Sequence, residues 1–221
     1  DLQFQLVLTN ALNRFWIGTE GLAHMMPAQA RPYFFGAMLL ALEKRDHSLR
    51  PVACGDVFRR LAAKLVLLRV PPAVVKILEE AHQIAINSRC GAEGMISILK
   101  RYTARLRGSD RAIIALDFRN AFNEVSRTHL LQEVFDSFPE AFNHAWVAYG
   151  TRSSLLFGEH VIESQQGTQQ GDPFAMLGFA LVLAKCLRQI RQHPRFVPHW
   201  LDVESWFADD GAIGGDPEGL R

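Results

Sequence analysis

An α+β fold is predicted for this 221-residue chain by three observations. Apolar runs short enough for strands alternate irregularly with amphipathic stretches long enough for helices, without the strict β–α–β order of a parallel sheet. Two of the strand-like runs, Ala112–Leu116 and Val203–Ala208, end directly against aspartates. The composition is that of a chain that buries a substantial core, with 48% hydrophobic and 21% charged residues.

The elements follow in order. Leu2–Trp16 reads as a helix, with Leu6, Ala11 and Phe15 among its apolar positions. Pro32–Leu42 is apolar and fits a strand or a helix, and the charged turn Glu43–Arg50 leads into Pro51-Val52-Ala53. Asp56 caps a helix over Val57–Arg69, with Val57, Leu61, Leu65 and Leu68 at helical spacing. Pro71-Pro72 stops it and opens a second helix through His82. A loop with Gly91 and Gly94 precedes a helix over Met95–Leu106, broken by Gly108-Ser109-Asp110. Ala112–Leu116 is a buried strand, and Ser126 caps a helix containing Leu130, Leu131, Val134 and Phe135. Leu155–Phe157 and Val161-Ile162 flank Gly158-Glu159 as a hairpin. A polar loop punctuated by Gly167 and Gly171 leads into a helix over Pro173–Gln192. Val203–Ala208, Asp209-Asp210-Gly211 and Ala212-Ile213 then read as strand, turn and returning strand.

The net charge of +1 conceals a division along the chain. Residues 41–107 carry 13 Lys/Arg against 6 Asp/Glu, and residues 108–221 carry 9 against 15. A basic part joined to an acidic part suits a protein that grips a phosphate polymer with one region and cations with the other; patterning of solvated faces gives the same imbalance. Three separated cysteines, Cys54, Cys90 and Cys186, with no CxxC pair argue against a disulfide framework or zinc site and for a reducing, intracellular compartment. The eight histidines show no ligand pairing. No signal peptide opens the chain, and its longest strongly apolar run, Phe174–Ala184, is too short to span a membrane. The chain begins at Asp1 and ends 11 residues after Asp210, and both ends read as cuts in a longer protein.

Three carboxylates carry the chemistry. Asp117 closes one apolar strand, and Asp209-Asp210 stands between two others. Adjacent acids in a tight turn repel one another and call for a cation, and hard divalent ions take carboxylate oxygens. Alternate residues share a strand face, so Asp209 and Asp210 play unequal roles. Taken alone, Asp-Asp-Gly reads first as a surface turn.

The surroundings decide between these readings. Phe207-Ala208-Asp209-Asp210 resembles the [FY]-x-D-D box of reverse transcriptases, and Asp117-Phe118-Arg119-Asn120-Ala121-Phe122 resembles their D-x-x-x-A-[FY] box. Gln166-Gly167-Thr168-Gln169-Gln170-Gly171-Asp172-Pro173 resembles their Q-G-x-x-Q-G-D-P box, the most specific of the set. Arg50-Pro51-Val52 looks like their R-P-[IV] element. The order is also theirs. The likeness covers roughly Ala41–Gly215 and is nearest to the non-LTR (LINE-like) retrotransposon enzymes; Gln83–Glu93 looks like a further loop of that group.

The resemblance implies a right-hand polymerase. Residues 1–40 are a helical segment left unplaced, 41–110 the fingers, and 111–221 the palm, a small antiparallel sheet packed on helices, with the thumb absent. It implies an RNA-directed DNA polymerase that transfers deoxynucleotides to a DNA primer 3′-hydroxyl on an RNA template. Two Mg²⁺ ions, with Mn²⁺ as a substitute, would be held by Asp117, Asp209, Asp210 and the Phe118 carbonyl, with Asp117 and Asp209 carrying most of the coordination. Phe122 matches the ring that excludes a ribose 2′-hydroxyl, and Gln166 and Gly167 match positions lining the nucleotide and template pocket. Gln170, Gly171, Asp172 and Pro173 shape a helix start. Lys44 and Arg50 are candidates for triphosphate contacts, and Arg59, Arg60 and Lys64 for a basic face along the template backbone. Action in the nucleus follows by the same analogy.

The chain departs from the pattern at Asn123, where many relatives have Asp, at Ala175-Met176, which replace Ser-Pro, and at Cys54. None of these removes a metal ligand. Three competing readings are an RNA-dependent RNA polymerase, against which Ala208 in place of Gly and the bulk of Phe122 both argue, an inactive RNA-binding remnant of a mobile element, against which the intact aspartates argue, and a plain α+β scaffold whose Asp-Asp-Gly is a surface turn, against which the ordered boxes argue.

Overall fold

A computed structural model describes residues 31–220 except 46, 87 and 107, together with residues 3, 5–7, 10 and 29. The expected helix over Leu2–Trp16 therefore lies largely outside the described residues.

The chain forms two compact units, each assembled from two stretches. One comprises Asp1–Pro71 and Phe122–Gly178, the other Pro72–Ala121 and Phe179–Arg221.

In the first unit a single helical turn, α1 (Arg31–Phe34), precedes strands β1 (Ala37–Glu43) and β2 (Leu49–Gly55), so the apolar stretch read as strand or helix is both. These strands pair antiparallel, from Ala37 opposite Gly55 to Glu43 opposite Leu49. Helix α2 (Val57–Leu67) starts at the expected cap, where the Asp56 carboxylate accepts from the Phe58 N–H at 2.8 Å. The hairpin β4 (Ser153–Phe157) and β5 (His160–Ser164) turns at Gly158-Glu159, as its spacing predicts. Its first strand lies parallel to β1, giving a four-stranded sheet in the order β2-β1-β4-β5. That parallel join has no signature in local sequence. It pairs segments more than a hundred residues apart.

Helix α6 (Arg127–Ser137), capped by Ser126, and helix α7 (Phe142–Tyr149) supply the core of the first unit through Leu130, Val134, Ala145 and Tyr149. Apolar residues at helical spacing put one face of each helix inside.

In the second unit, α3 (Pro72–Glu80) and α4 (Gly91–Arg105) precede β3 (Ala112–Asp117). Helix α4 begins four residues before the expected Met95, with Cys90 in the left-handed region at φ 53° as its cap. Strands β6 (Leu201–Phe207) and β7 (Asp210–Gly215) complete a three-stranded antiparallel sheet in the order β3-β7-β6. This is the small antiparallel sheet predicted, and the fold class is α+β as expected.

The short helix α5 (Ala121–Glu124) and the long helix α8 (Pro173–Gln192) each contribute residues to both units. Helix α8 has the length and composition of a membrane span, longer than the expected apolar run. Yet 56% of its apolar window is buried inside the protein, as in the core helix of a soluble domain.

Candidate active site

The second unit brings the acidic residues together. The β3–β7 ladder places Asp117 directly opposite Asp210, after Leu116 opposite Gly211 and Ala115 opposite Ala212. Residues facing each other in an antiparallel pair hold their Cβ atoms about 5 Å apart, and like charges there are destabilising. Both aspartates are exposed. Asp209 stands in the two-residue turn between Phe207 and Asp210, whose other member, Ala208, is left-handed at φ 55°. The ladder thus pairs Asp117 with the second aspartate of the box, and Asp209 lies in the adjoining turn.

The donor set can be tested against a divalent ion. Among the described residues, no three His, Cys, Asp or Glu side chains converge on one point. Those residues therefore form no closed protein cage for the ion. Mg²⁺, however, is commonly bound through one or two carboxylates while water and substrate phosphates complete its shell. Two opposed carboxylates with a third in the adjoining turn suit an ion of that kind.

Packing behind the carboxylates is aromatic. The Phe118 ring stacks on Trp206 at 5.9 Å between centroids and meets Phe179 edge-on at 6.5 Å. Trp206 lies opposite Gly211, where any Cβ would overlap the indole, so glycine after Asp210 admits the ring that Phe118 covers. The Trp206 indole N–H donates to Glu204 at 2.9 Å, and Arg191 donates to the same carboxylate at 2.7 Å. Burial alone would raise the Glu204 pKa. Hydrogen bonds from His82, Trp206 and Arg191 outweigh it and hold the carboxyl down at about 2.

The first unit gathers the remaining candidates. The Gly167 N–H donates to the Val125 carbonyl at 3.1 Å, and the Thr168 hydroxyl donates to the Phe122 carbonyl at 3.1 Å. Gln166 donates from its side-chain amide to the Glu124 carbonyl at 3.1 Å. The Gln-Gly loop is therefore stitched to the backbone that carries Phe122. Gly167 adopts φ 66°, and a Cβ there would collide with the Asn123 backbone, so two independent constraints require glycine. Beside the loop is a cavity of about 440 Å³, whose lining includes Leu39, Pro51, Leu155, Gln166 and Gln169. Lys44 follows the end of β1 and Arg50 lies on β2; both are exposed.

Arg59 requires a correction. It was expected on an exposed basic face, but it is 1% exposed and its guanidinium donates to Asp172 at 2.9 Å and to the Phe35 carbonyl. Arg60 and Lys64 remain exposed on the same helix. The helical spacing locates all three on α2 but does not reveal which of them turns inward to meet a partner 113 residues away.

Asp172 is the centre of a buried polar network. It accepts from the Tyr149 hydroxyl at 2.7 Å and from the Phe174 N–H at 2.9 Å, the helix cap foreseen for it. Burial would raise its carboxyl, but Arg59 foremost, with His144 and these hydrogen bonds, holds it below the ordinary range. The Arg59 and Arg127 guanidiniums each lie over the Tyr149 ring, 5.5 Å from its centroid. Arg127, which the sequence did not single out, donates to the carbonyls of Gly167 at 2.8 Å and Ser164 at 2.9 Å, and to the Ser164 hydroxyl at 2.7 Å. It fastens the Gln-Gly loop from beneath. The only local signal was its place just after the Ser126 cap.

His144 in the same core is fully buried, neither ring nitrogen has a hydrogen-bond partner, and its ring meets Phe174 edge-on. Burial lowers its pKa from 6.5 to about 4. A folded pKa below the unfolded one means that the unfolded chain binds more protons between those values, so stability falls as pH falls through that window. The expected loss between pH 6.5 and about 4 approaches 3 kcal/mol. Urea unfolding across that range should show this slope in the parent and a flatter one in His144→Phe. Equal slopes would remove His144 as its source.

With this geometry in view, comparison with known proteins identifies the family. The family described as reverse transcriptase (RNA-dependent DNA polymerase) matches residues 42–218. The chain belongs to that family. A retrotransposable-element protein, the SLACS 132 kDa protein of Trypanosoma brucei gambiense, is 25% identical over 195 residues, 83% of this chain but only 15% of that protein. This agrees with the resemblance to the non-LTR group. Among solved structures, telomerase from Candida albicans in complex with a TWJ fragment of telomeric RNA aligns with a TM-score of 0.59 at 11% identity, over 88% of this chain and 40% of that one. Apo telomerase from Candida tropicalis aligns with a TM-score of 0.58 at 9% identity, over 97% and 45%. At such identities the likeness shows the fold, that of a right-hand polymerase. Reverse transcriptases generally use divalent metal ions.

Proposed function

We propose that this chain is the catalytic part of an RNA-directed DNA polymerase of a non-LTR retrotransposon, adding deoxynucleotides to a primer 3′-hydroxyl on an RNA template with two Mg²⁺ ions. The observation that carries this reading is the strand register that sets Asp117 opposite Asp210, with Asp209 in the turn. Asp117, Asp209 and Asp210 would hold the ions, with the Phe118 carbonyl as a further ligand. When bound, such ions neutralise charge developing on the transferred phosphoryl group and so lower the barrier. The work of the remaining residues is positional. Phe122, tied through its own carbonyl to Thr168, presents a ring that excludes a ribose 2′-hydroxyl. Gln166 and Gly167 border the nucleotide and the templating base, and Lys44 and Arg50 answer the triphosphate charge. Arg60 and Lys64, with Arg59 removed from the set, remain for the template backbone, where binding weakens with salt.

The test is deoxynucleotide incorporation on a primed RNA template with Mg²⁺, comparing the parent with Asp209→Asn/Asp210→Asn. Incorporation by the parent and none by the variant supports the reading. Equal incorporation by both defeats it, and a parent with RNA binding but no incorporation favours the inactive remnant. In the active parent, Phe122→Ala should raise ribonucleotide use relative to deoxynucleotide use by about 10-fold or more, the scale of a pocket that rejects an added group by shape. An unchanged ratio would remove Phe122 from that role.

A further inference from the structure

We infer that Gln83 is a positioning residue for the acidic turn, a clamp that holds Ala208 in its left-handed conformation so that Asp209 and Asp210 are set before any ion or nucleotide arrives; this rests on the polymerase reading. Gln83 is 3% exposed, and both atoms of its amide are engaged by one residue. Its Nε2 donates to the Ala208 carbonyl at 3.0 Å, and its Oε1 accepts from the Ala208 N–H at 2.8 Å. The Oε1 also accepts from the Ala85 N–H at 3.2 Å, which fixes the amide from its own side.

The backbone around Gln83 explains its aim. The Ile84 N–H donates to the Trp206 carbonyl at 2.8 Å, and the Trp206 N–H donates to the His82 carbonyl at 2.9 Å. Residues 82–84 thus lie along the outer edge of β6, with Gln83 bridged in parallel to Trp206. From that edge its side chain reaches two residues further, past the end of the strand and onto the turn.

The chemistry is selective. Ala208 carries a Cβ at φ 55°, a conformation that costs a non-glycine residue about 1–2 kcal/mol and persists only where its surroundings over-determine it. A turn residue with both its N–H and its C=O directed at one neighbour needs a group that is donor and acceptor at once, and a carboxamide supplies both from one planar end at any pH, whereas an ionised carboxylate only accepts. Glycine at position 208 would accept the conformation without help. This chain has Ala208, and the clamp takes over what glycine would have done.

The experiment uses the full chain with Gln83→Leu and Gln83→Glu, the latter keeping the shape and the acceptor while removing the donor. Amide hydrogen exchange over Phe207–Gly211, measured without metal, should accelerate about 10-fold or more in Gln83→Leu and less in Gln83→Glu, as local opening replaces a held turn. On a primed RNA template, kcat should fall about 10- to 100-fold, the usual effect of losing a group that orients metal-binding side chains, while the KM for deoxynucleotide stays within about threefold. Ala208→Gly added to Gln83→Leu should recover part of that kcat. Unchanged exchange at the turn in both variants overturns the inference, as does a kcat that falls only in proportion to the fraction of unfolded protein. A parent without incorporation would count against the polymerase reading, and the exchange measurement would still decide the clamp.

Discussion

Asp117→Asn is expected to lower deoxynucleotide incorporation by about 100-fold or more while leaving the metal-free protein as stable as the parent or slightly more so. The two halves of this result come from one feature. Asp117 and Asp210 are paired residues on neighbouring antiparallel strands, and both are exposed. Without a cation their charges oppose each other across the ladder, and such pairs destabilise a sheet by a few tenths of a kcal/mol up to about 1. Replacing one carboxylate by its amide removes the repulsion and also the donor that makes the site attractive to a hard ion. A structural aspartate behaves in the opposite way, losing stability on substitution. The measurement pairs incorporation rate with thermal unfolding, each with and without Mn²⁺ or Mg²⁺. Ions that bind only the folded state raise the unfolding temperature, so the parent should show a metal-dependent rise that Asp117→Asn lacks. An Asp117→Asn protein that is less stable without metal, or that still incorporates at the parental rate, would show that this register serves the sheet and not the chemistry.

The legibility of the fold and the site varies with the range of the interactions that build them. Local rules foresaw Asp56 and Ser126 as helix caps, Pro173 as a helix start, Gly158-Glu159 as a hairpin turn and the strand ending at Asp117, because each depends on residues within a turn or two; the expected turn Asp209-Asp210-Gly211 is instead Ala208-Asp209, with Asp210 and Gly211 already paired in β7. The motifs located the acidic residues and the Gln-Gly loop. Interactions across large separations were not legible. Arg59 read as one of three solvated charges, since its partner Asp172 is distant in sequence. The roles of Gln83 and Arg127 were not legible for the same reason, although Gln83 opens a loop with a family likeness and Arg127 follows a helix cap: each uses its side chain on the backbone of a remote loop, and a backbone group leaves no mark in the sequence of its partner. Gly91 misled in the other direction. It reads as a loop residue, but it lies within α4, where a Cβ would collide with the Ile84 carbonyl.

Asp172→Ala is expected to destabilise the first unit by roughly 3–5 kcal/mol, the largest stability effect of any single change considered, because it leaves a buried cation without its counter-charge. Arg59 and Asp172 are 1% and 2% exposed at their side chains, so neither solvent nor salt can stand in for the missing partner. The same substitution removes the acceptor of the Tyr149 hydroxyl and the cap of α8 at Phe174, and a lost cap is itself worth about 1 kcal/mol. Asp172→Asn separates these contributions in part: its one amide oxygen keeps the acceptor for the Phe174 cap, while the oxygen that serves Tyr149 and Arg59 becomes an amide nitrogen and the charge is lost. Most of the loss should persist in it if the ion pair dominates. Arg59→Met/Asp172→Asn, which removes both charges, should cost clearly less than the two single changes added together, since pairing energies in one network are not additive. The acid limb carries the same information. The Asp172 carboxyl is held below its ordinary range, so its contribution is present above the unfolded value and is lost as pH falls through the folded one. Urea unfolding at neutral pH, with Lys64→Ala as the exposed control expected to stay within about 0.5 kcal/mol, reads the effect. A cost near 1 kcal/mol for Asp172→Ala would mean that water reaches Arg59 and that the network is no core. The full cost, together with faster amide exchange over Gln166–Gln170, would tie the stability of the buried pair to the loop that Arg127 and Asp172 hold in place.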